Sequence, residues 1–127
     1  MLEWHLLWPS CWVGVMIGCG AELVAWWLKF WLYRSRLTPW VNVLFMFGVV
    51  MGGVASAPLG TLLKFVLAGF VGLSYELMNA YIWRAWVFPG ERLGPIRGYG
   101  AISVALGVAW AVVPGVIVKL CALMPSD

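Results

Sequence analysis

Hydrophobic positions in this chain do not alternate with polar ones; they run on in long stretches. Residues 11–33 read CWVGVMIGCGAELVAWWLKFWLY, and residues 65–88 read FVLAGFVGLSYELMNAYIWRAWVF. A helix needs about 20 predominantly apolar residues to cross a bilayer. Four stretches meet that length, at roughly 10–33, 40–58, 62–88 and 98–122. Their continuity predicts helices, because the strands of a barrel would alternate. The breaks carry turn chemistry: Arg34-Ser35-Arg36-Leu37-Thr38-Pro39, Pro58-Leu59-Gly60-Thr61 and Pro89-Gly90-Glu91-Arg92-Leu93-Gly94-Pro95. The predicted fold is an all-α integral membrane protein with four transmembrane helices, residues 1–127 forming a single transmembrane domain.

Composition strengthens that picture. Hydrophobic residues make up 64% of the chain and charged ones 10%, against about 25% charged in a soluble domain. The net charge of +3 comes from dispersed Lys and Arg, which is no footprint for nucleic acid. Lys29, Arg34, Arg36, Arg84, Arg92 and Arg97 fall where the first and last pairs of runs are joined, and only Lys64 and Lys119 fall at the other ends. The positive-inside rule then puts both of those joins in the cytoplasm and both termini on the non-cytoplasmic side, in a multi-pass protein of a bacterial inner membrane. Basic residues near helix ends snorkel to the headgroups. Trp26, Trp27, Trp31, Trp40, Trp83 and Trp86 crowd the same boundary, as an aromatic belt does, with a pigment or lipid-tail site as the other use of so many indoles. The segment MLEWHLLWPS has no positive n-region, so the first run reads as a retained anchor.

Glu22 and Glu76 stand near the middle of the first and third runs. An ionised carboxyl at a bilayer centre costs at least about 2.5–3.5 kcal/mol, which makes both functional-site candidates. Gly14, Gly18, Glu22 and Ala25 share one helical face, as do Gly69, Gly72, Glu76, Asn79 and Ala80. Faces of small residues let backbones approach closely, so the carboxyls turn inward. Gly48 and Gly52 offer such a face in the second run and Ser103, Gly107 and Ala111 in the fourth. Tyr75 and Asn79 flank Glu76, and Asn79 at i+3 is placed to donate to it; Glu22 has almost no polar company. The two acids serve either a transport path or the register of a helix bundle.

The halves also look like copies. Gly18, Glu22 and Leu23 align with Gly72, Glu76 and Leu77. After a short loop difference Arg36-Leu37-Thr38-Pro39 matches Arg92-Leu93-Gly94-Pro95, and Pro58 matches Pro114. A tandem duplication of a two-helix hairpin, residues 10–60 and 62–122, would relate parallel copies by an axis along the membrane normal.

At residues 75–101, Tyr75-Glu76 within a run is followed by Gly94-Pro95-Ile96-Arg97-Gly98-Tyr99-Gly100-Ala101 opening the next. This segment resembles the type IV ABC-transporter (CmpB-like) small polytopic membrane proteins. The family's Asn-Arg-Gly-Phe-Leu stretch is missing, and Arg97 replaces its aromatic. The resemblance implies a permease-like multi-pass protein and no more. The same Gly-rich entry, beside Arg92 and Arg97 and across from Arg34 and Arg36, reads either as plain turn chemistry or as a seat for an anionic lipid headgroup.

The residues predict no enzyme, since there is no Ser/His/Asp set and no HExxH. They predict no cofactor and no metal: Cys11, Cys19 and Cys121 lie in apolar runs without ligand spacing, and the sequence holds one histidine, His5, near the N-terminus. The functional expectation is an oligomeric transporter or an ion- or proton-conducting component using Glu22 and Glu76, partnered by the lipid bilayer and by its own copies. The competing expectation is an accessory subunit packing against other membrane subunits, lipids or pigments. A lysis-type pore is a third.

Overall fold

The computed structural model describes residues 4–125; Met1–Glu3, on which part of the N-terminal reading rests, lie outside them. Four helices are long and apolar enough to cross a membrane. Helix α1 spans Trp4–Leu28, with Pro9 near its start. Helix α2 covers Thr38–Ser56, α3 covers Thr61–Trp83, and α4 covers Tyr99–Ala122. Pro39 sits in the first turn of α2, where a missing N–H removes no helical bond. Within α2, Asn42–Met51 winds wider, in π geometry, as does Asn79–Trp83 at the end of α3. Such widening is rare and marks places where side chains leave the regular helix. Here each wide segment opens on an asparagine whose side chain bonds to another element.

The helices end earlier than the apolar runs. The chain leaves α1 through Lys29, at φ 56°, with the Phe30 N–H on the Ala25 carbonyl at 2.9 Å. It leaves α3 through Arg84, at φ 47°, whose N–H bonds the Asn79 carbonyl at 2.8 Å. Glycine is the usual residue in that left-handed position, and its absence hides both exits. Beyond them lie strands β1, Leu32–Tyr33, and β2, Trp86–Val87. They are as apolar as the helices, which is why residues 29–33 and 84–88 read as membrane span. A helical turn, Pro89–Glu91, and the hairpin of β3, Arg92–Leu93, with β4, Ile96–Arg97, complete the link to α4. Of the joins expected as loops, residues 34–37 are bends and turns, whereas residues 89–97 hold a helical turn and the β3–β4 ribbon; the β1–β2 ribbon is made from the ends of the apolar runs.

β1 and β2 pair with Leu32 opposite Val87 and Tyr33 opposite Trp86. Glu22 and Glu76 are 54 residues apart, and so are the first residues of the two strands. Each pairing thus joins one position of the first half to the other position of the second. The later matches take different places. Pro39 opens α2 whereas Pro95 lies in the turn between β3 and β4; Pro58 follows α2 whereas Pro114 is buried inside α4. The extra residues of the β3–β4 hairpin shift the second half further than a two-residue loop difference allows.

Close packing is strongest within each helical hairpin. A Cβ on Gly14 would run into the Phe47 carbonyl, and one on Gly18 would come within 2.8 Å of the Phe47 ring. A Cβ on Gly48 would meet the Val15 side chain, and one on Gly52 would come within 2.7 Å of the Cys11 backbone. In the other hairpin Gly69 meets Ala111, Gly72 meets the Trp110 ring and Gly107 meets Leu73. Between the hairpins the Phe47 and Trp110 rings meet at a 42° tilt with centroids 4.4 Å apart. The core holds Val13, Met46, Met51, Ala68, Trp110 and Ile117. A second cluster of Trp86, Phe88 and Ile102 sits beneath the ribbon.

Candidate functional site

Glu22 lies six residues before the end of α1 and Glu76 seven before the end of α3. At 1.5 Å rise per residue both are about 10 Å from the arginine-bearing end, not at mid-helix. The reason is the early exit of both helices at Lys29 and Arg84.

Glu22 is held by the strand that follows its own helix. The Tyr33 hydroxyl donates to its Oε1 at 2.5 Å, and the Trp31 indole N–H reaches Oε2 at 3.3 Å. That indole also donates to the Tyr33 oxygen at 2.9 Å. Asn42 of α2 donates to the same oxygen at 2.8 Å and accepts from the Tyr75 hydroxyl of α3. One polar chain therefore ties α1, β1, α2 and α3 together through groups whose donors and acceptors match. Glu76, only 5% exposed, accepts from the Trp110 indole of α4 at 2.9 Å. Among the described residues every hydrogen-bond donor to the two carboxyls is neutral, and no buried side-chain nitrogen or oxygen lacks a partner.

Both carboxyls line one cavity of about 240 Å³ between α1 and α4 beneath the ribbon. Its walls include Trp31, Tyr33, Asn42, Phe47, Trp86 and Trp110, and no Lys, Arg or His. Burial, and then the bond to Glu22, hold the Tyr33 phenol well above its ordinary range. A raised value favours the folded state while the phenol keeps its proton. That contribution is complete below the unfolded value of about 10 and declines only in stronger alkali.

Four residues of this site are absent from the sequence-level candidates: Trp31, Tyr33, Asn42 and Trp110. Two had a legible signal. Asn42 is the only amide in its run, and Trp110 is the only Trp of residues 98–122, far from either end. Trp31 and Trp86 read as aromatic belt, yet Trp31 bonds Glu22 and Trp86 is buried.

The polar company of the two acids is the reverse of what helical neighbours suggest. Asn79 does not serve Glu76. Its amide donates to the Trp86 carbonyl at 3.0 Å and accepts from the Trp86 N–H at 3.1 Å, and so holds the backbone of the residue that pairs with Tyr33. Tyr75 turns away to Asn42. Glu22 gains two donors from β1 and its approach. Arg34, Arg36, Arg92 and Arg97 are all exposed, and β3–β4 pairing sets Arg92 opposite Arg97. The glycines at 14, 18, 48, 52, 69, 72 and 107 lie at helix crossings rather than at the cavity. Among the described residues no group of His, Cys, Asp and Glu is placed to hold a metal.

No protein-family model, curated protein or solved structure matches the chain.

Proposed function

We propose that this protein is a small multi-pass membrane component that moves protons or cations through the site shared by Glu22 and Glu76. The observation that carries the proposal is the common cavity. Two acids from distant parts of the chain face one aromatic-walled space and meet only neutral donors there. Acids inside membrane helices that face an internal space mark ion and proton paths more often than lipid-facing positions do.

The helices lie in a cytoplasmic membrane of bacterial type with the ribbon end inside and both termini outside. Lys29, Arg34, Arg36, Arg84, Arg92 and Arg97 at the ribbon end, against Lys64 and Lys119 at the other, support that orientation. The hairpins are copies in tandem. Reciprocal pairing of Leu32 with Val87 and Tyr33 with Trp86 is what a two-fold axis between copies produces. The exposed apolar flanks of α1 and α3 suit contact with lipid and with further copies.

Flux tests this directly. In proteoliposomes carrying a pH-sensitive dye, Glu22→Gln and Glu76→Gln each lower proton or cation flux by roughly tenfold or more, as loss of a proton-transfer group does. A Gln amide oxygen still accepts the Trp110 or Tyr33 bond, so folding is retained. Unchanged flux in both variants would refute the proposal.

One observation favours a second reading, an accessory subunit. Trp26 and Trp27 are 77% and 75% exposed on α1, and Trp26 lines a hollow with the exposed Trp40 of α2. Such a tryptophan face fits a partner helix as well as a lipid interface. Copurification of a stoichiometric partner from the native membrane, without flux from the protein alone, would select it.

A further inference from the structure

The Glu22–Glu76 cavity has a chemistry narrower than that of a general ion path. Its polar edge holds two carboxyls and the Asn42 amide, and the rest divides evenly between aromatic and aliphatic side chains, the aromatic share being the indoles of Trp31, Trp86 and Trp110 and the rings of Tyr33 and Phe47. No basic side chain lines it, so nothing in the wall supplies the positive charge that two acids call for.

A hydrated metal cation is a poor match. Calcium takes about 6–8 oxygen ligands and magnesium demands octahedral oxygens. Here Tyr33 and Trp31 already engage both oxygens of Glu22, Trp110 engages one of Glu76, and the Asn42 carbonyl oxygen is taken by Tyr75. A weakly hydrated organic cation needs no such shell. Its charge is satisfied at a distance by carboxylates and by the faces of indole and phenol rings. Size narrows the class further. The cavity is about 240 Å³, below the roughly 300–1,000 Å³ of sites for drug-sized molecules.

The cavity has a neighbour. Glu22 and Tyr33 also line a hollow of about 360 Å³ on the outer side of the α1–α2 pair, with Leu23, Trp26, Pro39 and Trp40. Glu22 and Tyr33, joined by their hydrogen bond, thus line both the inner cavity and an almost wholly apolar second hollow. An ammonium reaching the outer hollow meets the Glu22 carboxyl first and Glu76 beyond it.

We propose that the inner cavity binds a small tertiary or quaternary ammonium, entering from the outer hollow past Tyr33, and caged by Glu22, Glu76 and the three indoles. This rests on the transport reading of the two acids and names its substrate class.

The test compares choline with 3,3-dimethyl-1-butanol, which has the same shape but a neutral carbon in place of the nitrogen. Calorimetric titration of the full chain in nanodiscs is expected to show choline binding and a roughly tenfold or greater weakening for the neutral isostere. Glu76→Gln, checked for folding by its circular dichroism melt, is expected to weaken choline by a similar factor. If that variant fails to fold, the two ligands on the unmodified protein still decide the matter. Equal binding of both molecules, or no choline heat at millimolar concentration, overturns the proposal. Proton flux on the same preparation separates it from the broader reading. Glutamate-dependent flux without choline binding removes the ammonium and keeps transport; choline binding without flux keeps the ammonium site and removes transport.

Discussion

Asn79 shows how far a residue's role departs from its helical neighbourhood. Three positions after Glu76 on an ideal helix, it is the obvious donor to that acid. The chain instead uses both ends of its amide to hold the Trp86 backbone, and so fixes where β2 begins. Replacing it with alanine leaves a buried N–H and carbonyl without partners, each worth about 1–3 kcal/mol. Asn79→Ala is therefore expected to destabilise the protein by about 2–6 kcal/mol, read from denaturant or thermal unfolding in detergent. The presence of both acids was legible, because an acid in an apolar run stands out whatever it touches. Asn42 and Trp110 stood out in their runs, but what they touch did not. Trp31, Tyr33 and Trp110 reach the acids from other parts of the fold and Asn42 joins them through Tyr33, and helical spacing carries no information about such contacts.

At the scale of elements, glycine has two meanings here. Gly72 on α3 faces Trp110 so closely that a Cβ would collide with the ring. That ring also donates to Glu76, so an added methyl moves both the α3–α4 contact and the site. Gly115 on α4 has nothing within 4 Å of the same position. Gly72→Ala is expected to cost about 1–3 kcal/mol by overpacking, whereas Gly115→Ala gains about 0.5–1 kcal/mol of helix propensity. Paired melts of the two variants check this, and equal effects would contradict the packing. The four helices themselves were legible from apolar length, and the glycine faces from their spacing. The ribbons were not. Two-residue strands of Leu, Tyr, Trp and Val look like more helix when the exits, Lys29 and Arg84, carry no glycine signal.

For the whole molecule the proposed orientation makes a direct prediction. In intact cells or right-side-out vesicles, a cysteine at position 59, Leu59→Cys, is expected to react with a membrane-impermeant maleimide, while Ser35→Cys reacts only after permeabilisation. The background is a variant lacking Cys11, Cys19 and Cys121. The reverse pattern would invert the topology. By itself the sequence determined four long apolar helices and marked the two acids, since each follows from the local cost of exposing apolar groups to water or charge to hydrocarbon. Only the tertiary structure decided that those acids share a cavity, which neutral donors hold them, and that the ends of the first and third helices fold back as a paired ribbon. Such facts depend on contacts between residues far apart in the chain, and hydrophobic pattern is blind to them.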